Sequence, residues 1–76
     1  MLRIYADFNE MDERDRVHLD TVGSLEDLER CKNEIRSGIR VVLYMPDLQV
    51  EGMLEFDERM GIWVGLPDWS TRRDLP

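Results

Sequence analysis

A chain of 76 residues has room for one hydrophobic core, and 42% apolar residues suffice to build it with a small margin of stability. The net charge is −7, with a single lysine and with arginines interleaved among acids; Arg72-Arg73 is the only adjacent basic pair. Nucleic-acid backbones require clustered cations, so that balance argues against an RNA or DNA partner and fits a basic protein partner better.

Cys31 is the only cysteine and cannot form an internal disulfide, so nothing points to an oxidising compartment. The opening MLRIYADF lacks the apolar core of a signal peptide, and no run reaches membrane-spanning length. The composition therefore predicts a soluble cytoplasmic domain with no membrane association.

Leu2 to Phe8 alternates as a strand, with Leu2, Ile4, Ala6 and Phe8 on the inward face. A polar loop from Asn9 to Asp15 follows, and Val17 to Val22 reads as a second strand. Pairing Phe8 with Val17 in a hairpin keeps both apolar faces together and sets Asp7 opposite His18.

Gly23 breaks that strand, and Ser24 is placed to cap a helix over about 24–36. Glu26 and Asp27 then fall in its first turn, with Asp27 in the acidic position of a capping box. Leu25, Leu28, Cys31 (or Lys32) and Ile35 form its apolar stripe, and Ser37-Gly38 ends it with a left-handed glycine.

The stretch from Ile39 to Leu66 organises the chain as three antiparallel strands. Ile39, Val41, Leu43 and Met45 share one face; Val50, Gly52, Leu54 and Phe56 share another; so do Ile62, Val64 and Leu66. Proline cannot adopt the positive φ of a primed two-residue turn, so a four-residue loop, Pro46 to Gln49, is expected. It pairs Met45 with Val50 and Val41 with Leu54, and puts Arg40 opposite Glu55. A five-residue loop from Asp57 to Gly61, with Gly61 left-handed, pairs Phe56 with Ile62 and Leu54 with Val64. Pro67 to Asp74 reads as a turn and a short helical turn capped by Asp68 or Ser70.

The expected fold is α+β or mainly β: a small five-stranded antiparallel SH3-like curved barrel or sheet with one inserted helix, in a single domain over residues 1–76. A flatter sheet with the helix across its mixed face is the alternative. The order of strands resembles SH3-like barrels as a pattern; no sequence motif identifies a family.

No motif carries catalysis, a cofactor or a metal. Asp7-x-Asn9-x-Met11-Asp12 resembles the start of a calcium loop, but Met11, Asp12 and His18 occupy positions that need an oxygen ligand, a glycine and a glutamate. Cys31 and His18 do not suggest a nucleophile and base, because Cys31 belongs to an apolar stripe. Tyr44, Met53, Trp63 and Trp69 are the candidate partner-contact residues, since aromatic side chains dominate contact hot spots. The favoured function is a small acidic, non-catalytic protein-interaction or adaptor domain, binding a protein partner or a second copy of itself. The alternative is a non-enzymatic small barrel that binds a small ligand or an oligonucleotide.

Overall fold

A computed structural model describes residues 1–76 as five strands and one helix. In chain order these are β1 (Arg3–Tyr5), β2 (Val17–His18), α1 (Val22–Arg30), β3 (Arg40–Met45), β4 (Leu48–Asp57) and β5 (Ile62–Asp74). They form one sheet in the order β1-β3-β4-β5-β2. The expected meander is present as β3, β4 and β5, antiparallel throughout. The sheet as a whole is mixed, because β1 runs parallel to β3 while β2 pairs antiparallel with β5.

The expected β1–β2 hairpin is therefore corrected. Alternation reveals which face a residue occupies, not which strand lies beside it. Only an isolated bridge between Met11 and Val17 remains of that hairpin, supported by His18 N–H donating to the Glu10 carbonyl at 3.2 Å.

Although β1 and β2 stand at opposite ends of the strand order, only Leu19–Thr21 links β2 to α1, and α1 packs on β1. So short a link spans about 14 Å at full stretch. The sheet must curl until its two ends approach the same helix, and the outcome is a half-barrel with α1 at its seam.

Loop lengths set the registers. Pro46 and Asp47 alone connect β3 to β4, with Met45 opposite Leu48. Neither loop residue has positive φ. The hairpin thus uses an unprimed two-residue turn, for which the fixed φ of Pro46 is suited. The register moves two residues from expectation, which preserves parity: Leu43 faces Val50 and Val41 faces Gly52. Arg40 meets Met53 instead of Glu55, and its guanidinium reaches Glu51 and Asp68, both at 3.0 Å.

The second loop is one residue shorter than expected. Asp57 pairs with Ile62, its carbonyl accepts the Gly61 N–H at 2.8 Å, and its carboxylate accepts the Met60 N–H at 2.9 Å. Gly61 is left-handed as foreseen, at φ 70°. A change of one residue inverts every side chain beyond it. Gly65 and Trp63 consequently face Leu54 and Phe56, whereas Val64 lies opposite Glu55 on the outer side. Val64 is fully buried there, between Glu55 of β4 and His18 of β2.

The inner face gathers Ile4, Ala6, Val17, Leu19, Leu28, Val41, Leu43, Val50 and Leu54. Leu43 fills the middle of it. A Cβ on Gly52 would stand 2.9 Å from Leu43 Cδ1, and one on Gly65 would stand 2.8 Å from the same atom. The two glycines form the flat floor on which Leu43 rests. Residues 6–16 cross from β1 to β2 as a strap, with Ala6 buried and Phe8 and Met11 packed on the core.

Residues 67–74 continue β5 and do not form a helical turn. β4 offers partners along its whole length, ending with Leu48 opposite Asp74, and that pairing prevails over local preference. The local capping signal is still used. Glu51 faces Asp68 while Gln49 faces Arg73, so β5 bulges outward between them. Asp68 Oδ1 accepts the Ser70 hydroxyl at 2.6 Å and its N–H at 3.2 Å, and Thr71 Oγ1 accepts the Glu51 N–H at 2.8 Å.

The helix starts and stops earlier than the sequence suggests. Thr21 is the N-cap, accepting the Ser24 N–H at 3.3 Å, and Cys31 is the C-cap. With that start, no acid lies in the first turn. Gly38 is left-handed at φ 95°, but it serves the connection into β3, where its N–H donates to the Leu54 carbonyl at 2.7 Å.

Candidate functional site

Two polar clusters and two uncovered apolar surfaces comprise the candidate sites. The first cluster lies where α1 meets β1. Ser24 and Asp27, three residues apart, fall on one helix face and are both buried. Asp27 Oδ2 accepts the Tyr5 N–H and the Tyr44 hydroxyl, each at 2.8 Å, while Oδ1 pairs with Arg30. Ser24 Oγ donates to the Tyr5 carbonyl at 2.6 Å. The Tyr5 and Tyr44 rings meet edge to face with centroids 5.8 Å apart, and the Arg3 guanidinium stands 4.7 Å above Tyr44. Asp27 thus anchors a strand rather than closing a capping box.

The second cluster joins the strap to the outer face of the sheet. Asp12 Oδ1 accepts the Arg14 and Arg16 N–H groups at 2.9 and 3.1 Å. Its Oδ2 lies 3.0 Å from both Arg16 Nε and His18 Nε2, and Arg16 Nη1 continues to Asp57 at 2.8 Å. Asp15 takes a left-handed φ of 59° to close this turn, a conformation that Asp tolerates. Partial burial acts to raise the Asp12 pKa. The N–H groups of Arg16 and Arg14 and the His18 and Arg16 side chains outweigh it, holding the carboxyl well below the usual carboxylate range. Asp57 is lowered too, by the Met60 N–H and then by Arg16. His18 therefore meets Asp12 and not Asp7, because its strand does not pair with β1.

The candidate contact residues do not form one surface. Tyr44 is half-buried and engaged by Asp27. Met53 is on the outer face, opposite Arg40 and Leu66, and is 45% exposed. Trp63 is on the inner face, partly buried against the core and edge to face with Phe56 at 5.2 Å. Trp69 is 42% exposed, with its ring 5.3 Å from that of Phe8.

Sequence reasoning missed the solvent side of α1. Leu25 was expected on the inward stripe, yet Leu28 alone of the helix apolar residues is buried. Val22 and Leu25 are 74% and 54% exposed. The usable signal was Thr21 as N-cap, which starts the helix three residues earlier; Ser24, Asp27 and Leu28 are its buried face. Cys31 is half-buried, its thiol donating to the Asp27 carbonyl at 3.0 Å. Burial, and then Glu34, raise its pKa, so the reactive thiolate is disfavoured. No helix is long and apolar enough to cross a membrane.

No protein-family model, no curated protein and no solved structure matches the chain.

Proposed function

We propose that this is a small acidic, non-catalytic protein-interaction domain, acting in the cytoplasm. The observation that carries the reading is the exposure of large apolar side chains on two uncovered surfaces. Met53 stands on the outer face of β3–β5, and Val22 with Leu25 on the solvent side of α1. Apolar side chains left in water beside one another mark contact surfaces more often than isolated ones do. The net charge of −7 favours a basic partner through long-range attraction.

A likeness to SH3-like barrels supports the reading only through size and curvature, since the parallel β1–β3 pair departs from an antiparallel meander. The test is affinity capture from the native extract, with the captured protein identified and its stoichiometry measured on purified components. A defined complex at fixed stoichiometry supports the proposal. Recovery of a small molecule or oligonucleotide instead, with no protein, overturns it.

A further inference from the structure

The acidic charge is not spread evenly. Residues 7–29 hold nine of the seventeen acids and two of the ten Lys and Arg residues, so this segment carries the entire net charge of −7. The segment comprises the strap, β2 and most of α1. Two of its acids are consumed internally, Asp12 by Arg16 and His18 and Asp27 by Arg30, Tyr5 and Tyr44.

On α1, Val22, Leu25, Glu26 and Glu29 follow the i, i+3, i+4, i+7 spacing of a single helix face. All four are exposed, and Asp20 is exposed just before the helix. Glu29 is neutralised by Lys32 at 2.9 Å, whereas Asp20 and Glu26 have no ion-pair partner. The surface is therefore a short aliphatic stripe bordered by the free carboxylates of Asp20 and Glu26, with the one cation at its edge, Arg30, engaged by Asp27. The outer sheet face differs in degree: around Met53, Glu51 and Asp68 are both held by Arg40, and Glu55 alone has no ion-pair partner.

From this juxtaposition we infer that the solvent face of α1, with Val22 and Leu25 at its centre and Asp20 and Glu26 at its border, docks a basic amphipathic helix of a partner protein. The inference rests on the interaction-domain reading and gives it a surface and a partner chemistry. Leucines at helical spacing on the partner cover Val22 and Leu25, and flanking Lys or Arg side chains meet the free carboxylates. A second copy of the chain fits poorly, because it would bring Asp20 and Glu26 against their own like charges. The face offers only two aliphatic side chains, so the contact is weak and salt-sensitive.

The test is a fluorescence-anisotropy titration at two salt concentrations. The probe is a labelled helical peptide of about 15 residues, with leucines along one face and lysines elsewhere. Leu25→Asp is expected to weaken binding about tenfold or more, and Glu26→Lys to weaken it while flattening the salt dependence. Met60→Asp, in the β4–β5 loop, is expected to leave binding unchanged. Leu25 and Glu26 are both exposed, and circular dichroism verifies that each variant folds. Equal binding by wild type and Leu25→Asp overturns the inference, as does absence of binding by wild type. Concentration-dependent dimerisation abolished by Leu25→Asp also overturns it, in favour of self-association. If a native partner is captured equally by wild type and Leu25→Asp, the α1 surface is refuted while the interaction reading stands. If neither captures any protein, the interaction reading itself fails.

Discussion

Gly65 shows how a single hydrogen atom can decide a core. Its position would admit a Cβ only 2.8 Å from Leu43 Cδ1 and 3.1 Å from Val17 Cγ1. Leu43 is fully buried, with no free space into which to retreat. Gly65→Ala is therefore expected to destabilise the fold by about 1–3 kcal/mol through overpacking. Gly52→Ala is expected to cost more, because its Cβ would also meet the Leu66 carbonyl oxygen at 2.6 Å, and backbone cannot swing aside as a side chain does. Urea unfolding monitored by Trp fluorescence measures both. Combining Gly65→Ala with Leu43→Val should recover part of the loss, since the shorter side chain vacates the contested space.

At the scale of elements, most of the face assignments within β1, β3 and β4 were legible. Ile4, Ala6, Val41, Leu43, Val50 and Leu54 are buried as their alternation predicts. What alternation cannot supply is neighbour identity, and β1 pairs with β3 although β2 follows it in sequence. Loop length was the other hidden quantity. A slip of two residues at Pro46-Asp47 was harmless to parity, but a slip of one at Glu58–Gly61 moved Trp63 inside and Val64 outside. Of the candidate contact residues, Met53 was legible as lying on the mixed outer face, though not whether that face is covered. The engagement of Tyr44 was not legible, because its partner Asp27 lies seventeen residues away on the helix.

The turn from Asp12 to Arg16 makes the stability of this strap dependent on pH. Asp12 and Asp57 are both held below the ordinary carboxylate value of about 3.9. A carboxylate stabilised in the folded state contributes fully above its unfolded value, and that contribution vanishes as pH falls through the folded one. Thermal unfolding is thus expected to be nearly constant from pH 7 to about 5 and to decline below about 4. Asp12→Asn should lower the melting temperature at pH 7, with the gap to wild type closing as the pH approaches 2. Melting curves followed by circular dichroism across that range provide the measurement.

Over the whole molecule, the half-barrel depends on contacts made outside its hydrogen-bonded strands. The strap spans from one end of the sheet to the other, and Phe8 against Trp69 pins its first half, as Asp12 and Arg16 pin its second. Phe8→Ala is expected to release residues 6–10 selectively. Amide exchange should accelerate there by more than in β3 and β4, and a uniform acceleration across all strands would show that the strap is not a separate unit.

The bond pair made by Ser24 and Asp27 has a further consequence. One accepts from the Tyr5 amide and the other donates to its carbonyl, so two side chains occupy the places a neighbouring strand would take. Such a rim, left bare, is a template on which other chains can add by backbone pairing, the route to polymers and fibres. Removing both groups in Ser24→Ala/Asp27→Ala should therefore raise self-assembly above that of wild type, detected by thioflavin fluorescence and rising light scatter. The helix, beyond filling the seam, keeps each molecule from becoming the first rung of a ladder.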